Sequence, residues 1–173
     1  ANVGFILLGF VTANSSGYEA ALNYTFIYVL TALGSFGVVL LAARRSGEAE
    51  ELTDYKGLAA RDPLLAWLML IVMLSTAGVP PFAGFWAKLW IIQATLDANL
   101  LWLAIVAVVV SVIGAYYYLR VIWYMFFETG SDSPSLERQP LVRGALAINC
   151  LALLVLGALP GMLLALCANL IPG

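Results

Sequence analysis

Histidine is absent from this chain, which removes imidazole metal sites and imidazole acid–base chemistry together. Charge is scarce as well: Asp, Glu, Lys and Arg make up 10% of the residues, against roughly 25% in an ordinary soluble domain. A soluble core is therefore excluded. The few charges sit almost entirely in connections and form no basic footprint, so nucleic acid is not a partner. Glycine-rich phosphate loops, nucleophile elbows, metal clusters and haem-ligand pairs are also missing, and these residues perform no redox chemistry. The two cysteines, Cys150 and Cys167, share one apolar run about 25 Å apart along a helix at 1.5 Å per residue, too far to pair.

What is present is hydrocarbon-like sequence. The 63% of apolar residues fall in separated runs near the ~17–25 residues that a helix needs to cross a bilayer, so the chain reads as an all-α, polytopic transmembrane bundle whose first partner is lipid. The opening, ANVGFILLGFVTA, has no initiator Met and no basic segment, and over 1–12 it spans roughly 18 Å, too short to cross. It reads as the tail of a helix, and the expectation is a C-terminal piece of a longer protein. A polar turn over Asn14–Gly17 precedes a crossing at about 20–43, with Tyr18, Tyr24 and Tyr28 where interfacial aromatics are enriched. Gly34 and Gly37 give that crossing a small-residue surface suited to close helix contact.

The polar connection over 44–62 carries Leu52, Tyr55 and Leu58 or Ala59 at helical spacing. This predicts a short amphipathic helix lying at the surface, against a neighbouring subunit or lipid headgroups, capped by Thr53 or Asp54 and weakened by Gly57. Apolar segments follow at 63–79, with Asp62 as cap, and at 81–97. Two more lie at 99–128 and 142–171, the last kinked at Pro160. The whole of 1–173 reads as a single transmembrane unit.

The stretch AGVPPFAGFWAKLWIIQATLD, residues 77–97, organises the rest. Gly78, Pro80 and Pro81 break the helix, because proline lacks an amide hydrogen and clashes with the preceding turn; Gly84 is a second weak point. As one helix, 63–97 would be about 52 Å long, against a ~30 Å hydrocarbon core, so either two short crossings or one crossing and a broken helix fits. Broken backbone at membrane depth is tolerated only where protein or a watery cavity surrounds it. Lys88 sits just after this break, and an ionisable group at that depth points to function.

Asp97 is about 13 Å from Lys88 along a helix and reads as interfacial. Arg120 lies about 12 Å inside Glu128, within reach of the interface. Arginine keeps its proton at any physiological pH, so Arg120 can bias a field but cannot pass a proton on. A desolvated lysine can. Lys88 is therefore the proton-exchanging candidate, with Ser75, Thr76, Ser111, Tyr118 and Arg120 as candidate pathway neighbours.

The runs LSTAGVPPFAGFWAKLW and SVIGAYYYLRVIWYMF, with NVGFILLGF, GSFGVV and DYKGLAARDP, resemble the antiporter-like membrane subunits of respiratory complex I over nearly the whole chain. The resemblance implies the C-terminal part of an inverted-repeat fold in a bacterial inner membrane, with other membrane subunits as partners. It implies that Lys88 matches the family's lysine on the second-repeat broken helix, thought to relay protons. No cofactor is expected in this chain; NADH, FMN, iron–sulfur clusters and quinone are implied for the rest of such a complex. If 63–79 and 81–97 are separate crossings, the 44–62 connection shares a side with the C-terminus. Its Lys and Arg residues favour the cytoplasm, but the family topology implies the outer side and is followed here. Two other readings stand beside this one: a subunit of a multisubunit sodium/proton antiporter, which shares the GxPPxxGFxxK segment, and a purely structural scaffold.

Overall fold

A computed structural model describes residues 2–46, 51–129 and 139–162, and every regular element among them is helical. The elements are α1 (Asn2–Val11), α2 (Ser15–Ser46), a 3₁₀ turn (Leu52–Tyr55), α3 (Leu58–Arg61), α4 (Pro63–Ala77), α5 (Ala83–Asp97), α6 (Leu101–Phe127) and α7 (Pro140–Ala158). Stretches of α2 (Ser15–Ala42), α6 and α7 are each long and apolar enough to cross a bilayer, which makes this a multi-pass membrane protein.

α1 and α2 form a tight hairpin. Asn14 is the N-cap of α2, its Oδ1 accepting from the Gly17 amide at 2.8 Å, so α2 begins at Ser15, earlier than the expected position 20. Gly9 lies so close to Gly17 and Ala21 that a Cβ there would sit 2.8 Å from the Gly17 carbonyl oxygen. Further along α2, Gly34 packs on Val72 of α4 and Asn149 of α7, and Gly37 packs on Leu146. The small-residue surface thus makes the close contacts its composition suggests.

α4 and α5 have 15 residues each, about 22 Å apiece and short of a ~30 Å core. At the start of α4, Trp67 meets Phe126 near the end of α6, ring centroids 5.6 Å apart. Beside the break, Lys88 bonds Ser111 inside α6, and a short turn joins the end of α5 to the start of α6. α4 and then α5 therefore run the length of α6 in the opposite direction, as one broken crossing. The alternative of two separate crossings does not form, because α5 continues away from α4 instead of folding back along it.

The consequence is topological. The described parts of the 44–62 and 128–143 connections lie at the same end of the bundle. Lys56 Nζ is 3.0 Å from Glu128 Oε2, the Gly57 amide donates to the Tyr124 carbonyl at 3.2 Å, and Arg143 on α7 pairs with Asp62. The orientation argument from separate crossings therefore fails.

The expected surface helix over 44–62 is also different. Glu51, with Asp54, forms the capping box in place of a Thr53 or Asp54 cap, and Gly57, at φ 65°, splits the segment into a 3₁₀ turn and α3. Tyr55 and Leu58 are buried in this chain's own core beside α6, so the segment packs inward. Arg44, Arg45 and residues 47–50 contribute no described side chains. The proposed kink at Pro160 follows the end of α7, where Leu159 leaves the helix; the rest of the 142–171 segment, with Cys167, lies outside the described residues.

Asp62 also serves as the cap of α4, accepting from the Leu65 amide at 3.2 Å while Nη1 and Nη2 of Arg143 both donate to its carboxylate. Removing one member of such a buried pair strands the other, at a cost of about 3–5 kcal/mol. Asp62→Leu and Arg143→Met are each expected to lower the thermal stability of the folded subunit by that order, and the double variant to recover most of it. Cysteines placed at Lys56 and Glu128 are expected to react with an impermeant thiol reagent from one side of the membrane, and a cysteine at Asn99 from the other.

Candidate functional site

The site begins with how α4 ends. Gly78 adopts a left-handed conformation (φ 84°), and its amide donates to the carbonyls of Leu74 and Ser75, while the Val79 amide also reaches Leu74. This turn satisfies two of the last four carbonyls of the helix and leaves those of Thr76 and Ala77 without a backbone donor. A Val79–Phe82 link containing a cis Pro80–Pro81 bond leads into α5. The first turn of α5 abuts the last turn of α4 because Gly84 has no side chain: a Cβ there would overlap the Ser75 carbonyl. The Gly84 amide donates to Ser75 Oγ at 3.2 Å.

One turn later Lys88 reaches back. Its Nζ donates to the Thr76 carbonyl at 2.9 Å, the Ala77 carbonyl at 3.0 Å and Ser111 Oγ on α6 at 3.0 Å, which uses all three ammonium donors. The stem passes Gly78, where a Cβ would sit 3.0 Å from Lys88 Cδ. Only 8% of the residue is exposed, and the Phe5 ring centroid lies 5.6 Å from Nζ. No carboxylate among the described residues pairs with it; the negative end of α4 takes that part. A charged lysine at membrane depth costs roughly 2.5–3.5 kcal/mol on insertion scales. Hydrogen bonds to a charged group contribute ~1.5–3 kcal/mol each and a helix end up to ~2 kcal/mol, so these contacts offset the cost.

A cavity of about 10 Å³ adjoins Lys88 between α2, α4 and α5, room for about one water. Its polar lining comes from Asn2, Tyr24, Tyr28, Thr31, Ser75 and Thr76. Tyr24 donates to Asn2 Oδ1 at 3.1 Å, and Asn2 Nδ2 donates to the Tyr118 hydroxyl at 3.5 Å, so a polar chain leads from the cavity to α6.

The structure thus brings Lys88, Ser75, Thr76 and Ser111 together, with Gly78, Pro80, Pro81 and Gly84 making the break between them. Tyr118 joins only through Asn2. Arg120 does not join: its side chain is exposed on α6, over the Tyr124 ring, and Asp97 is likewise exposed at the end of α5. Sequence reasoning missed Asn2, Tyr24, Tyr28 and Thr31. Tyr24 is no interfacial anchor; it is buried, stacked on Phe5 with centroids 5.5 Å apart. Its spacing to Ile27 and Thr31, i+3 and i+7, was the available signal for a common inward face.

α7 braces the break. Trp86 Nε1 donates to the Gly157 carbonyl at 3.0 Å, and a Cβ on Gly157 would lie 2.8 Å from the Ala83 amide nitrogen. Gly84→Ala should push α4 and α5 apart and sharply reduce the amount of folded subunit. Gly114→Ala on α6, where a Cβ meets nothing within 4 Å, should leave it unchanged, as measured by detergent-solubilised yield.

Residues 1–114 match the family model described as NADH:quinone oxidoreductase/Mrp antiporter, TM. The chain is 46% identical over 178 residues to the NADH-quinone oxidoreductase subunit N of Paraburkholderia phymatum, covering 98% of this chain and 36% of that protein. It is 51% identical over 167 residues to subunit N of Acidithiobacillus ferrooxidans, covering 96% and 35%. It therefore spans about a third of the length of the curated relatives it matches. Among solved structures, a chain of respiratory complex I from Thermus thermophilus with bound Aureothin superposes with a TM-score of 0.76 at 31% identity, covering 94% of this chain and 36% of that one. A chain of the Mrp complex from Dietzia sp. DQ12-45-1b superposes with a TM-score of 0.82 at 26% identity, covering 97% and 40%.

Proposed function

The chain belongs to the NADH:quinone oxidoreductase/Mrp antiporter transmembrane family, and from that premise we propose that it forms the C-terminal part of subunit N of a bacterial NADH-quinone oxidoreductase. In this reading it is a proton-translocating subunit of the inner membrane, partnered by the other membrane subunits, and Lys88 relays protons. NADH, flavin, iron–sulfur clusters and quinone belong to other parts of the complex, where quinone reduction supplies the driving force.

The observation that carries the reading is the setting of Lys88: a buried ammonium held by two helix-end carbonyls and a hydroxyl, next to a water-sized polar cavity. With no carboxylate among the described residues fixing its charge, the lysine can lose a proton to a neighbouring water without stranding a buried anion. The neutral amine still donates to the carbonyls, so the site persists in both states. Orientation follows from the single broken crossing. Among the described residues, Arg44, Arg45, Lys56, Arg61 and Arg143 belong to connections at one end, which the positive-inside rule assigns to the cytoplasm, in place of the outer side taken from the resemblance.

A second reading, a subunit of a sodium/proton antiporter assembly, is favoured by the TM-score of 0.82 to the Mrp chain. The higher sequence identity to subunit N argues for the first. Purification of the native complex separates them, by the presence or absence of NADH-dehydrogenase subunits.

The test of the relay is NADH-driven proton uptake in membrane vesicles carrying the full-length subunit, normalised to assembled complex. Lys88→Met and Lys88→Arg are both expected to pump poorly, since neither side chain exchanges a proton at neutral pH. Rescue by Arg alone would make Lys88 a fixed electrostatic element. Normal pumping in both would leave a structural scaffold.

A further inference from the structure

Asn23 is the polar side chain that nothing so far accounts for. It lies in the middle of the apolar packing of α2, 0% exposed, and neither its Oδ1 nor its Nδ2 has a hydrogen-bond partner among the described residues. Buried amides are paired by protein or by ordered water in nearly every native structure. Because this chain itself encloses Asn23 fully, a neighbouring subunit cannot reach it. Water can, given a polar site with room and partners.

Its position gives that water a role. Thr31 and Ile27 line the Lys88 cavity, and Asn23 follows Ile27 by one further turn on the same face, i−4 and i−8 from the two. On α5 the matching face runs Lys88, Ile91, Thr95 at i, i+3 and i+7, and Ile91 and Thr95 are both 0% exposed. α2 runs opposite to α4 and α5, passing the cavity at Tyr24–Thr31 and Val72 at Gly34. The two faces therefore leave Lys88 in the same direction, towards the end of the bundle that carries the 12–14 and 98–100 turns. Each presents first an isoleucine and then a polar residue. Thr95 donates its hydroxyl hydrogen to the Ile91 carbonyl at 2.7 Å, which leaves its oxygen able to accept.

We propose that Asn23 and Thr95 position water between α2 and α5, and that the proton leaving Lys88 passes through this water to the end of the bundle opposite the Lys- and Arg-rich connections. The inference rests on the relay reading. In the step itself the Lys88 ammonium gives one proton to water and becomes the amine. Asn23 and Thr95 neither gain nor lose protons; they hold the water. A proton arriving from the cavity side restores the ammonium.

The experiment is NADH-driven proton uptake by vesicles carrying the full-length subunit with Asn23→Leu, Asn23→Ser or Lys88→Met, each normalised to assembled complex and to NADH oxidation. The expected result is that Asn23→Leu falls to the level of Lys88→Met while Asn23→Ser keeps most of the wild-type uptake. Wild-type pumping in Asn23→Leu beside a defective Lys88→Met overturns the water station and leaves the relay standing. Equal loss in Leu and Ser makes Asn23 a packing residue and also overturns it. Normal pumping in Lys88→Met removes the relay and this inference with it. Should Asn23→Leu fail to assemble, a high-resolution cryo-EM map of the wild-type complex decides: ordered water within hydrogen-bond distance of the Asn23 amide supports the proposal, and its absence refutes it.

Discussion

Everything near the centre of this bundle depends on a helix that ends inside the membrane with two carbonyls to spare. Lipid offers such groups nothing, and an unsatisfied carbonyl there costs several kcal/mol. The left-handed Gly78 turn closes on Leu74 and Ser75, and the Lys88 ammonium takes Thr76 and Ala77. Two liabilities, a broken backbone and a buried charge, thereby cancel. Neither is affordable alone, which is why the break and the lysine occur four to ten residues apart in the same stretch of sequence.

That mutual dependence also explains the shape of the surroundings. The lysine can reach α4 only because Gly78 leaves room for its stem and Gly84 lets the two helix ends meet. The third ammonium proton goes to Ser111, so α6 is tied to the same point. Around this knot, α1 and α2 supply the polar wall of the cavity through Asn2, Tyr24 and Thr31. Five helices thus converge on one nitrogen, and no carboxylate among the described residues pairs with it.

Much of this was legible in the sequence, and the reasons are specific. Proline and glycine punctuate backbone irrespective of context, so Gly78, Pro80, Pro81 and Gly84 announced the break. A lysine amid apolar residues announced itself. Ser111 stood out because a helix face can be read from spacing, whereas Thr76 meets Lys88 through its backbone carbonyl. What spacing could not give was register between helices. Tyr24 looked like an interfacial ring because it lies early in an apolar run, but α1 covers it and its hydroxyl turns to Asn2. Leu52, Tyr55 and Leu58 had the right period for an amphipathic surface helix, and the wrong inference was what their apolar side faced. Arg120 and Ser111 share α6 but not a face or a depth. The pairing of Arg143 with Asp62 joins residues far apart in the chain, which no local pattern encodes.

α7 meets the start of α4 at the Asp62 cap through Arg143, and the link into α5 at Pro81–Ala83 through Gly157, where it also receives the Trp86 hydrogen bond. It acts as a splint laid along a fracture. A splinted joint does not swing, so the gap between α4 and α5 is a fixed opening in the backbone rather than a hinge. Any rearrangement that accompanies a change of charge at Lys88 then falls to the side chain, its bound hydroxyl on α6 and the water beside it, all of which move without disturbing the helices.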